Sequence, residues 1–170
     1  MASTYTLISS QVLGSSAASV TFSSIPQTYK DLKLVWSART DRASFPDYIY
    51  FRFNGSSSAV YSATSVSGNG SGAYSSYLAN QNIGGNVTPV NTANTTTNTF
   101  GCAEMYLPNY ATNAAKQTFF SGVAENNSAN AAIAAEAELF NSASAITSIT
   151  LSSYSSSNIV ANSSFYLYGI

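Results

Sequence analysis

Histidine is absent from this sequence of 170 residues, and cysteine occurs only once. Without imidazole there is no histidine general base, no histidine-based catalytic triad and no histidine metal ligand. The lone cysteine, Cys102, can form neither an intrachain disulfide nor a cysteine-based zinc site. It lies in the run FGCAEMYL, where we expect a buried small side chain rather than a reactive thiol. These absences exclude several catalytic and metal-binding classes.

Charge is scarce as well, since Asp, Glu, Lys and Arg make up 8% of the chain and the net charge is −1. Nucleic-acid binding and attachment to anionic lipid both depend on a basic surface, so we expect neither. Serine, threonine, asparagine and tyrosine take the place of charge. Such a composition is typical of surfaces that make permanent contacts or bind sugars. With 45% apolar and 13% aromatic residues, the chain still has enough apolar surface for a core.

Alternation of apolar and polar residues is most regular between residues 32 and 61. Leu34 and Trp36 alternate with Lys33, Val35 and Ser37, and Ile49 and Phe51 repeat the period of two. Side chains of a strand point alternately to opposite faces, so each run predicts a strand with one buried face. Asn54-Gly55 follows at once and predicts a tight turn. We expect these two runs to be the central strand pair of an all-β domain.

Further strands are expected across the rest of the chain. Residues 130–140 alternate with period two but contain the helix formers alanine and glutamate, and the strand is preferred because both neighbouring segments are strands. Residues 63–86 predict a long polar excursion, with one or two helical turns at AYSSYLAN. Together, the patterns predict one domain over residues 1–170: an antiparallel two-sheet β-sandwich of jelly-roll type with eight or nine strands. The other predicted strands are 5–14, 18–25, 99–107, 116–124, 146–153 and 162–170.

Glu136 and Glu138 are the only closely spaced carboxylates on a predicted strand, where they share one face. The preferred interpretation is a solvated strand face. A glycosidase pair and a Ca²⁺ site are the alternatives, but neither a pocket that raises a carboxyl pKa nor an acidic loop accompanies the two residues. We therefore predict no catalytic residue, no metal and no cofactor.

Two groups of residues are candidates for an interface. The first is a set of charged residues around one loop, which could form an ion-pair network between subunits or a staple within the chain. The second is a set of tyrosines, which could form a partner-binding or sugar-stacking platform, or pack at the sandwich edge. The interface candidates are Arg39, Asp41, Arg42, Asp47, Tyr74 and Tyr77, with Tyr106 and Tyr110 as further members of the platform.

Several segments, in order, resemble small virion proteins and fibre modules of tailed bacteriophages, a group with a jelly-roll-type β-sandwich. The segments are LVWSARTDRA (34–43), DYIYFRFNG (47–55) followed by VYS (60–62), MYLPNYATNAAKQTFF (105–120), SAITSITLSS (144–153) and SSFYLYGI (163–170). The resemblance implies a non-enzymatic structural or binding role on a virus particle and transfers no catalytic residue. Ser56 stands where the family often has an acidic residue after the Asn-Gly turn, so a cation-binding role of that turn is not expected.

Within that role, the leading hypothesis is a capsid decoration, or cement, protein on the outer surface of the phage head. Its partners would be the major capsid protein and further copies of itself in a homotrimer, with no nucleic acid and no membrane. The alternative is a tail-fibre or spike module that binds a receptor or glycan. A fibre usually carries an attachment segment and a shaft before its tip, and the first predicted strand begins by Tyr5, so decoration is the preferred hypothesis.

Overall fold

The predicted alternation is realised as strands throughout the computed structural model, which describes residues 5–170. This part of the chain contains twelve strands and no helix, and so no helix that could cross a membrane. The strands are β1 (Thr6–Val12), β2 (Ser19–Phe22), β3 (Leu32–Ala38), β4 (Asp47–Phe53), β5 (Tyr61–Gly68), β6 (Ala73–Gln81), β7 (Pro89–Val90), β8 (Gly101–Leu107), β9 (Lys116–Ala124), β10 (Ala132–Phe140), β11 (Ile149–Ser153) and β12 (Ser164–Gly169).

The strands form two antiparallel sheets of unequal size. The large sheet has eight strands in the order β1-β12-β3-β8-β9-β10-β5-β6. The small sheet has four, in the order β2-β11-β4-β7. The prediction of an all-β, two-sheet antiparallel sandwich is therefore confirmed. The strand count is twelve rather than eight or nine, and the jelly-roll topology stays a prediction.

The core lies between the inner faces of the two sheets and is rich in aromatic rings. Phe51 of the small sheet packs edge-on against Phe120 of the large sheet, with ring centroids 5.9 Å apart. Phe53 makes a similar contact with Phe140 at 5.4 Å. Tyr61 completes the cluster, and its hydroxyl accepts a hydrogen bond from the Phe53 amide. These contacts fix the small sheet over β9, β10 and β5.

The predicted central strand pair is wrong, because β3 and β4 lie in different sheets. β3 pairs with β12 and β8, whereas β4 pairs with β11 and β7. Both strands bury one face as predicted, but these faces belong to opposite sides of one core. Period-two alternation identifies a buried face, and it does not say which strand lies alongside. The Asn54-Gly55 turn is confirmed, with φ of +52° and +65°.

The predicted excursion over 63–86, with its helical turns, is also wrong. Residues 61–81 form the hairpin β5–β6, closed by a turn in which Asn69 Oδ1 accepts hydrogen bonds from the amides of Ser71 and Gly72. β6 is the outermost strand of the large sheet, and none of its residues is buried. The apolar signal that identifies strands is therefore missing from β6. The strand predicted over 130–140 is confirmed as β10.

Candidate binding surfaces

The charged candidates on the loop after β3 are engaged within the chain. The Arg39 guanidinium donates to the carbonyls of Thr96 at 2.8 Å and Thr99 at 2.9 Å. Asp41 accepts from the backbone amide of Asn158 at 2.8 Å and from its side-chain amide at 2.9 Å. Arg39 therefore fastens the loop after β7, and Asp41 fastens the loop after β11. Both residues therefore hold loops together within the chain, which is the second of the two roles that the sequence left open for them.

Asp47 is the buried centre of this region, with no exposed surface. Its carboxylate accepts hydrogen bonds from hydroxyls and amides of three chain segments, and the Arg42 guanidinium lies 4.0 Å away. Because it is enclosed, Asp47 cannot contact another molecule directly. The prediction that Asp47 is an interface residue is therefore wrong, and Asp47 is an internal anchor. The donors are the hydroxyls of Thr40, Ser153 and Ser155 and the backbone amides of Tyr48 and Ser155.

The outward surface of the large sheet, here called the outer face, is unusually apolar. Val66 is 61% exposed, Ile133 is 60% exposed and Phe119 is 51% exposed. A single ion pair lies among these side chains, between Lys33 Nζ and Glu104 at 2.8 Å. Monomeric soluble proteins rarely leave a contiguous apolar area of this kind uncovered unless it binds something. The outer face comprises Leu7, Val12, Val35, Val66, Tyr77, Cys102, Tyr106, Phe119, Val123, Ile133, Tyr166 and Tyr168, together with the Lys33–Glu104 pair.

A groove of about 720 Å³ crosses the middle of the outer face. Its walls include Val35 and Val123 from the central strands and Val66 and Ile133 from the strands near one edge. Cys102 also lines the groove and is exposed, so the prediction of a buried cysteine is wrong. In β8 the core side is occupied by Gly101, Ala103, Met105 and Leu107, and Cys102 falls on the opposite side.

Tyr74 and Tyr77 are both exposed but do not form one platform. Tyr77 lies opposite Thr64 on the outer face, and Tyr74 lies opposite Ser67 on the other side of the sheet. Paired residues of neighbouring antiparallel strands share a face, so the two tyrosines point in opposite directions. Of the other two members, Tyr106 lies on the outer face and donates to Asp31 at 2.7 Å. Tyr110 is fully buried and donates to the Pro26 carbonyl, so it cannot belong to a platform.

Tyr74 instead lines a second groove of about 430 Å³ on the small-sheet side. Tyr48 and Pro46 provide further ring surfaces, and Asn69 and Asn130 provide amide groups. Aromatic rings beside amides are a combination that stacks and hydrogen-bonds sugars. This groove is the part of the described structure best suited to a glycan.

Glu136 and Glu138 are buried on the inner face of β10, 1% and 3% exposed, so the predicted solvated strand face is wrong. The period-two pattern holds, but the outward residues are Ile133, Ala135, Ala137 and Leu139. Glu138 Oε2 accepts a hydrogen bond from the Gly85 amide at 2.8 Å. A side chain at position 84 would clash, because a Cβ there would lie 2.4 Å from Glu138 Oε1 and 2.5 Å from the buried ring of Phe51.

The electrostatics of this acidic pair follow from its burial. Burial raises the pKa of Glu136, and the adjacent Glu138 carboxyl and the amides of Asn86 and Val87 partly oppose this rise. Burial also raises the pKa of Glu138, and the charge of Glu136 raises it further. A glycosidase needs both carboxyls open to its sugar substrate. This pair, enclosed behind residues 84–88, does not meet that requirement.

No family model, curated protein or solved structure matches this chain. The function is therefore inferred from the surfaces described above.

Proposed function

We propose that this protein is a capsid decoration protein of a tailed bacteriophage, which binds the outside of the assembled head through its outer face. The observation that carries the proposal is the apolar outer face with its groove of about 720 Å³. The scarcity of charge supports it, since interface centres are depleted in charged residues and enriched in aromatic ones. The resemblance to phage virion proteins supplies the identity of the partner, the major capsid protein.

Stabilisation of the shell would follow from mass action. A protein that binds only the assembled shell lowers the free energy of that state by RT ln(1 + [L]/Kd). Many copies on one lattice add avidity to each individual contact. A bound copy that spans two capsid subunits would oppose their separation. The role requires no catalytic group, metal or cofactor on the outer face.

Self-association into a homotrimer is part of the proposal and would use the β6 edge. β6 is nine residues long, is exposed on both faces and contains neither a charged residue nor a proline. Natural edge strands usually carry such residues to prevent pairing with other chains. An edge without them is suited to pairing with a neighbouring copy, and because the interface of a trimer is heterologous, β6 would pair there with a different edge, such as β1.

A receptor- or glycan-binding module of a tail fibre or spike is the second candidate. The groove of about 430 Å³ beside Tyr48 and Tyr74 favours it, because rings and amides converge there. In that case binding would survive changes to the outer face and would be lost on Tyr74→Ala.

Co-sedimentation with purified phage heads tests the leading proposal. We expect the protein to pellet with assembled, undecorated heads and to remain in the supernatant with unassembled capsid subunits, because a decoration site is completed only on the lattice. Saturable binding to heads is the supporting result. Equal binding to free subunits and heads, or no binding to heads, would contradict the proposal, and binding to host-cell glycans instead would favour the second candidate.

A further inference from the structure

The acidic pair lies in a concentration of buried polar atoms that lack hydrogen-bond partners. Residues 5–170 contain six such side-chain atoms, and five belong to Asn86, Thr88, Glu136 and Glu138. They are both carboxylate oxygens of Glu136, Oε1 of Glu138, Oγ1 of Thr88 and Nδ2 of Asn86. Buried polar groups in folded proteins are nearly always paired with protein, water or an ion. Three of the five atoms lie on Glu136 and Glu138, and the other two belong to the segment 84–88, whose backbone amides lie beside both carboxylates. This concentration points to a ligand.

The same strand and loop bring these atoms together. The Gly85 amide holds Glu138 at 2.8 Å, and the amides of Asn86 and Val87 lie beside Glu136 without forming hydrogen bonds of normal geometry. Thr88 is 1% exposed and begins the return of the chain into β7. Residues 84–88 thus cover the acidic pair and contribute polar atoms of their own.

No cationic side chain of the described chain pairs with either glutamate. The salt bridges within residues 5–170 are Lys33–Glu104 and Arg42–Asp47. Lys116, the buried amine on β9, donates instead to the carbonyls of Thr112 and Ser144. Arg52 lies on the outward side of β4 and donates to the Asn82 carbonyl. Tyr61 is the other titratable group near Glu138. A phenol carries no positive charge, so Tyr61 cannot neutralise the carboxylate.

Buried carboxylates are stable when a cation or a proton compensates them. One proton shared between the two glutamates would use one oxygen of each. The second oxygen of Glu136, the Thr88 hydroxyl and the Asn86 amide would still lack partners. A metal ion accounts for more of these atoms, because Ca²⁺ accepts six to eight oxygen ligands, including bidentate carboxylates and side-chain carbonyls. Rotation of the Asn86 amide by half a turn presents its oxygen in place of Nδ2.

We propose that Glu136, Glu138, Thr88 and Asn86 form a binding site for a hard divalent cation of the Ca²⁺ class. The ion would neutralise the carboxylates and hold residues 84–88 against β10. Mg²⁺ fits less well, since it keeps several waters and demands near-ideal octahedral geometry. The site is independent of the outer face, so the inference stands whether or not the protein decorates a capsid.

The test is the melting temperature of the purified protein in CaCl₂ against EDTA. At pH 7.5 and a Ca²⁺ concentration about 100-fold above the dissociation constant, we expect a rise of about 5–10 °C. At pH 5 the rise should largely disappear, because the raised carboxyl pKa values let protons compete with the ion. In EDTA the contribution of the two carboxyls to stability should have the opposite pH dependence: it is fully present below their unfolded pKa and is lost as pH rises through their raised native pKa values.

Three variants make the result specific. Glu136→Gln should abolish the response to CaCl₂, and Glu104→Gln, which removes an exposed glutamate of β8, should leave it unchanged. Thr88→Val is the milder variant if Glu136→Gln does not fold, and it should raise the apparent dissociation constant for Ca²⁺ about ten-fold. The proposal would be overturned if the wild type did not respond to CaCl₂, MgCl₂ or MnCl₂, or if wild type and Thr88→Val responded equally to CaCl₂. The unpaired atoms would then be explained by a proton shared between the glutamates and by buried water.

Discussion

Replacing Asp47 by alanine is expected to reduce the free energy of unfolding by about 3–5 kcal/mol, because five buried or part-buried donors lose their common acceptor. The hydroxyls of Thr40 and Ser153 donate to Asp47 at 2.8 Å and 2.7 Å. These donors come from the loop after β3, the start of β4 and the end of β11. Their loss would loosen three segments at one end of the sandwich. Urea denaturation monitored by the fluorescence of Trp36 measures the effect.

The matched control is Asp41→Ala. Asp41 is a carboxylate of the same loop, but it is exposed and its contacts are to Asn158 alone. Its removal should cost about 1 kcal/mol or less. Asp47→Asn should lie between the two, since an amide keeps one acceptor oxygen and loses the charge. A loss below about 1 kcal/mol for Asp47→Ala would show that Asp47 is not the anchor of this region.

Introducing two aspartates into the outer face, as Val66→Asp with Ile133→Asp, is expected to weaken binding to phage heads by about a thousand-fold or more. Each substitution places a charge without a partner where the interface would exclude water, at a cost of roughly 2–5 kcal/mol per buried charge. Both positions are 60% exposed or more, so the free protein should fold normally. The dissociation constant from co-sedimentation with undecorated heads gives the magnitude, and the melting temperature verifies the fold.

The control for added charge is Ser57→Asp with Ser58→Asp. Both serines are exposed in the loop between β4 and β5 and lie outside the outer face. This double variant has the same net charge as the first and should bind heads like the wild type. Equal loss of binding in both variants would indicate a general charge effect. Full binding by Val66→Asp with Ile133→Asp would exclude the outer face as the attachment surface.

The sequence predicts the strands far better than it predicts their arrangement. Trp36 and Phe51 each mark a strand with a buried face, and both strands are present. The sequence holds no comparable signal for the pairing of β3 with β12, which joins residues more than a hundred positions apart. Such pairing depends on how the buried faces of all the strands pack into one core, which is a property of the whole chain. β6 was missed for a related reason, since an edge strand exposed on both faces has no buried alternation.

The direction in which a strand faces is equally hard to infer, and it decides the candidate sites. In β10 the alternation of Ala137 with Glu136 and Glu138 is clear, yet the glutamates face the core. Burial of a carboxylate is against the usual preference, and it becomes understandable only when Gly84 and Gly85 close over the pair. Gly84 and Gly85 are adjacent in the sequence, but nothing in their spacing connects them with Glu136 and Glu138, more than fifty positions away.

The outer face was predicted only in part. Low charge and abundant tyrosine indicated a contact surface, and Tyr77 and Tyr106 lie on it. Val66 and Ile133 are strongly exposed aliphatic residues of the outer face and were not predicted to lie there, because an apolar residue in a strand is ordinarily assigned to the core. Only the register of β10 with β5, which brings the two strands together in the sheet, places these side chains on one surface.

The most direct test of the decoration hypothesis is the number of copies of this protein per purified virion, measured by quantitative mass spectrometry against the major capsid protein. Decoration of the whole head predicts about one copy per capsid subunit, as expected when a symmetric lattice is saturated. A few copies per hundred capsid subunits would contradict decoration and assign the protein to a tail fibre or spike. Absence from the virion would contradict both.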